Sequence, residues 1–156
     1  MGAMKEPTVD LYEADFHAWA FDQADKLRRG DVRHLDLVNL VEEIESLGRS
    51  EKRELQSRLG QLLMHLLKWE YQGYFRSRSW IDTIREQRRR LELLLDDMPS
   101  LQPKVGGVLA KAYSDARLLA ERETGLVIKT FPVECPYTVE QVLDGAWLPP
   151  IDEPLL

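Results

Sequence analysis

The chain has 156 residues, 44% of them hydrophobic and 31% charged, the balance of an ordinary globular domain with well-solvated faces. Its 21 basic and 27 acidic residues leave a net charge of -6, a field that opposes non-specific attraction to nucleic acid. The single cysteine, Cys135, excludes an intrachain disulfide and a multi-cysteine zinc site, and no stretch nears the roughly 18 consecutive apolar residues of a membrane span.

Residues 1–9 are expected to be a disordered or tag-derived start, residues 10–150 a single helical domain, and residues 151–156 a tail. Glu6, Asp10, Glu13, Asp15 and Asp22 fall where a signal peptide needs an apolar run, so the expected location is the cytoplasm, with no membrane contact.

Asp15 predicts the N-cap of a first helix, whose Phe16, Trp19, Ala20 and Leu27 recur at helical spacing before Gly30 ends it. Asp36 predicts a second, with Leu37, Leu40, Val41, Ile44 and Leu47 forming one stripe that closes at Gly48. Ser50 opens a third with the strongest periodic signal, Leu55, Leu59, Leu62, Leu66 and Trp69 alternating by fours and threes.

The pattern lapses through Tyr71 to Phe75. Ser79 then predicts the cap of a fourth helix carrying Ile81, Ile84, Leu91, Leu95 and Met98, which Pro99 stops. A fifth begins near Ser100, tolerates Pro103 in its first turn, and runs through Val105, Leu109, Ala112, Ala116 and Leu119 to Gly125. Gly106 and Gly107 imply either a late start or a close backbone neighbour, since each costs about 1 kcal/mol in a helix interior relative to alanine.

Beyond Gly125, Leu126-Val127-Ile128 is a short β-prone run, and Thr138 with Gln141 forms a capping-box start for a short last helix. Phe131, Tyr137, Leu143, Trp147 and Leu148 make this segment too apolar for a free linker, so it is expected to pack across the helices. The fold class is therefore all-α: a bundle of about five main helices with a short C-terminal segment and helix across it.

Five stretches in order resemble the domain-of-unknown-function 29 family of bacterial proteins: Val41 to Gly48, His65 to Trp69, Arg76 to Trp80, Asp115 to Arg117 with Glu121 to Thr124, and Cys135 to Thr138. The resemblance runs from about Leu11 to Leu148. It implies a helical fold and brings no assigned activity and no catalytic residues.

Chemistry must then be sought in single side chains. His65 borders the stripe of the third helix, as Glu43 borders the second and Asp115 the fifth. If the three converged, a histidine with two carboxylates would suit a divalent metal or acid/base work. Against this, charged residues beside an apolar stripe usually pair with neighbours, no Glu-x-x-His is present, and His17, His34 and His65 lack ligand spacing. No cofactor is expected outside that alternative.

Arg88 falls inside the stripe of the fourth helix, where burial demands a partner; Glu43, Glu45 and Asp115 are the expected carboxylates, and anion binding is the competing role. Arg76, Arg78, Arg85, Arg88, Arg89 and Arg90 stand beside Tyr71, Tyr74, Phe75 and Trp80, a mixture that suits single-stranded nucleic acid. The alternating signs that lead into Glu92, Asp96 and Asp97 favour a solvated face instead. Cys135 has no base beside it in sequence and reads as a small buried hydrophobe.

The leading expectation is a non-catalytic interaction or regulatory domain, binding a protein partner or itself, with Trp69, Tyr74, Phe75 and Trp80 lining a groove. An enzyme using His65, Glu43 and Asp115 is the alternative, and a nucleic-acid binder using Arg76 to Arg90 is the third reading.

Overall fold

A computed structural model of the chain describes residues 10–151. Six α-helices follow in order: α1 (Leu11–Ala14), α2 (Phe16–Arg28), α3 (Leu37–Tyr71), α4 (Arg78–Asp97), α5 (Val105–Thr124) and α6 (Val139–Leu143). Short 3₁₀ turns stand at Val32–His34, Gly73–Phe75, Pro99–Lys104 and Ile128–Thr130, and no strand occurs among the described residues. The all-α class holds. The expected start at residues 1–9 and most of the tail lie outside the described residues.

Four helices, not five, are long, because the expected second and third are one. Gly48 does not stop α3: its φ stays negative, and a single helical glycine costs only about 1 kcal/mol against the turns on either side. Ser50 accordingly lies inside α3 rather than capping a new helix. Two compact units divide within α3, one up to Arg49 and one from Ser50 onward.

In the first unit, Asp10 caps α1 and Asp15 caps α2, each accepting a backbone N–H of the first turn. Gly30, at φ +71°, takes the left-handed conformation that ends α2. Asp36 joins α2 to the start of α3: its carboxylate accepts from Trp19 Nε1 at 3.0 Å and Asn39 Nδ2 at 2.8 Å, while its own N–H donates to the buried Gln23 side chain at 2.7 Å. These bonds hold the carboxyl below its ordinary range, the Asn39 amide contributing most. Tyr12, Phe16 and Trp19 pack as an aromatic trio with centroids 4.9 to 5.7 Å apart.

In the second unit, Leu55, Leu59, Leu62 and Leu66 of α3 meet Ile84 and Leu91 of α4 and Val105, Ala112, Ala116 and Ala120 of α5, all nearly inaccessible. Gly60 faces α5, where a Cβ would meet the Ala112 carbonyl at 3.6 Å, an ordinary contact distance. α5 starts late, at Val105, and Gly106 and Gly107 face open space in its first turn, so no backbone neighbour explains them. Ser77 rather than Ser79 precedes α4, its hydroxyl bonded to Ser79 Oγ instead of to a helix N–H.

The β-prone run is not a strand. Leu126 and Val127 are irregular and Ile128 opens a 3₁₀ turn, because Arg117 Nη2 takes the Ile128 and Phe131 carbonyls at 3.1 and 3.0 Å, where a strand would need a neighbour's N–H groups. The segment beyond it packs on the helices of this unit through Phe131, Tyr137 and Val142, and the capping box of Thr138 and Gln141 starts α6 as expected.

Candidate functional site

The three stripe-edge residues each have a partner of their own. Glu43 belongs to the first unit and His65 and Asp115 to the second. Glu43 accepts the Tyr12 hydroxyl at 2.5 Å, and Asp115 accepts Gln56 Nε2 at 3.0 Å on an exposed face. His65 Nδ1 donates to the Gln61 carbonyl one turn back at 2.9 Å, and burial holds its ring below the usual imidazole pKa. Among the described residues, no three His, Cys, Asp or Glu side chains are grouped to hold a metal ion.

The aromatic and basic stretch after α3 divides into internal and external members. Trp69 is buried, and Arg76 lies over its ring at 5.6 Å while donating to the Trp69 and Glu70 carbonyls at 2.6 and 3.4 Å. Half-buried Trp80 sits under the ammonium of Lys68, which is itself 3.6 Å from Glu123. Only Tyr74 and Phe75 of the four aromatics, with Arg78, are left fully to solvent. Arg89 and Arg90 are both taken by Glu86, whose carboxyl they lower to about 2. No continuous groove of stacked aromatics and free arginines results.

Arg88 is 6% exposed, but no carboxylate comes within 4.0 Å of it among the described residues. Its acceptors are main-chain atoms at the end of α6: Nε donates to the Val142 carbonyl at 2.8 Å and Nη2 to Gln141 at 3.2 Å. The acid whose charge bears on it is Asp144, not Glu43, Glu45 or Asp115. Arg88 also lines a cleft of about 450 Å³ between α4 and the residues after α6. Cys135 is half-buried, its thiol 3.4 Å from the Tyr137 carbonyl, and burial pushes its pKa up, away from a reactive thiolate.

The feature that sequence reasoning misplaced is the stripe of the first unit. Leu37, Val41, Ile44 and Leu47, members of the stripe expected of the second helix, are 57%, 53%, 66% and 70% exposed. Their helical spacing gives the first part of α3 one apolar face that is left open, whereas Leu55, Leu59 and Leu62 of the second unit are buried. Phe16, 5.7 Å from the ring of Tyr12, is a further exposed aromatic of the first unit. The signal was in the sequence, as an apolar stripe that does not break at Gly48.

A family model described as Domain of unknown function DUF29 matches residues 11–148. No curated protein and no solved structure matches the chain.

Proposed function

Given that the chain belongs to this family of unknown function, we propose that it is a non-catalytic interaction domain that pairs with a second copy of itself through the open stripe of α3. The observation that carries this reading is the exposure of Leu37, Val41, Ile44 and Leu47 on one helix face, a cost in water that only another apolar surface removes.

Self-complementarity favours a copy of the same chain, because two identical apolar stripes can meet about a two-fold axis. Each of these four side chains is more than half exposed, and a second identical stripe would remove that apolar surface from water. Arg49, 2.6 Å from Glu42 and 3.6 Å from Glu45, offsets part of the acidic charge beside the stripe.

Sedimentation velocity of the full chain tests it. The expected result is a dimer that becomes monomeric in Val41→Glu and in Ile44→Glu, with helical content unchanged. A wild-type chain still monomeric at about 100 µM, far above the dissociation constants of standard interfaces, overturns the reading.

A further inference from the structure

The cleft beside Arg88 lies in the second unit and has no part in the proposed self-association. Arg88 is more than nine-tenths buried, yet its Nη1 has no hydrogen-bond partner among the described residues and is not sealed from solvent. Arg85, three residues earlier and on the same cleft, has no carboxylate within 4.0 Å among those residues. The third arginine of the wall, Arg89, is engaged by Glu86 through two bonds of 3.0 Å and is not available.

One and two turns further along α4, Glu92 and Asp96 line the same cleft, likewise with no cation within 4.0 Å among the described residues. Spaced four residues apart, Arg88 and Glu92 would ordinarily pair; here the carbonyls of α6 hold the guanidinium away. Leu95 and Leu143 add apolar side chains to the same lining.

We propose that this cleft binds a small zwitterion of the α-amino-acid type, its carboxylate on Arg85 and Arg88, its ammonium on Glu92 and Asp96, and its apolar body on Leu95 and Leu143. A plain anion would face Glu92, Asp96 and the nearby Asp144, and a plain cation would face two unpaired arginines; a molecule carrying both charges satisfies both walls. The volume is that of a small-ligand pocket.

Calorimetric titration of the full chain at low ionic strength with leucine, 4-methylpentanoate and 3-methylbutylamine separates the possibilities. Leucine is expected to bind one per chain, about tenfold or more tighter than either half-ligand, because each lacks one charged contact. Arg85→Gln and Glu92→Gln, both at exposed positions, should each weaken leucine about tenfold without moving the melting temperature of the free protein. Arg88 itself is left intact because it also holds α6. No saturable leucine binding up to about 10 mM overturns the proposal. So does 4-methylpentanoate binding as tightly as leucine, which marks a simple anion site, or leucine binding that neither substitution weakens.

Discussion

Arg76, Arg88 and Arg117 all aim guanidinium N–H groups at main-chain carbonyls. Trp69 and Glu70 belong to the last turn of α3 and Gln141 and Val142 to the last turn of α6, where carbonyls have no partner inside the helix; Ile128 and Phe131 belong to the segment that follows α5. The guanidinium suits this work because its fork of donors can serve two carbonyls at once. His65 makes the smaller version of the same bond, to Gln61, and its burial has a consequence for pH. The unfolded chain takes up this proton at about pH 6.5, whereas the folded ring resists it until lower pH. Because the folded pKa is depressed, the unfolded state binds more protons in that window. The stability is complete above pH 6.5 and is lost as the pH falls through that value toward the folded pKa. Wild type should therefore lose more melting temperature than His65→Gln between about pH 7.5 and about pH 5.5, a glutamine being able to donate to the same carbonyl without titrating. Equal losses in the two proteins would show that the ring is not desolvated, and a proton NMR titration of the imidazole would confirm the direction.

At the scale of elements, α3 is the helix whose length the sequence concealed. Gly48 has nothing within 4 Å of where a Cβ would stand and keeps a helical φ, so alanine fits there without strain and lowers the entropy of the unfolded chain. Gly48→Ala should raise stability by about 0.5 to 1 kcal/mol in urea unfolding at fixed protein concentration. A loss instead would mean that something approaches the backbone at that point. The caps at Asp15, Gly30, Gly125 and Thr138 were legible because each rests on a local bond or a local φ that a few neighbouring residues decide. The stripes of α3, α4 and α5 were legible because period 3.6 is a property of one helix alone. The exposure of Leu37, Val41, Ile44 and Leu47 was not, since periodicity says which face is apolar and nothing of whether another element covers it. The partner of Arg88 escaped for a related reason: carbonyl groups belong to every residue, so no letter in the sequence marks the two at Gln141 and Val142. Nor could a wheel drawn for each expected helix separately reveal that Leu37–Tyr71 is a single helix.

For the whole molecule, the open stripe ties stability to concentration. If two copies bury Leu37, Val41, Ile44 and Leu47 against each other, folding and association draw on the same apolar surface, and anything that binds the folded chain but not the unfolded one stabilises it by mass action. The melting temperature of the wild type should then climb as the protein concentration is raised over about a hundredfold range, each tenfold step adding up to roughly 1.4 kcal/mol once the dimer is the dominant species. Ile44→Glu removes the association and should melt at one temperature throughout that range. It should cost little as a monomer, because Ile44 is 66% exposed and its substitution leaves no cavity in either unit. A melting temperature independent of concentration in the wild type would mean that α3 keeps its first half in water, and the sequence of that half would then have to be explained by a partner other than a second copy. A concentration-dependent wild type beside a concentration-independent Ile44→Glu would instead locate the coupling between folding and assembly on this one helix face.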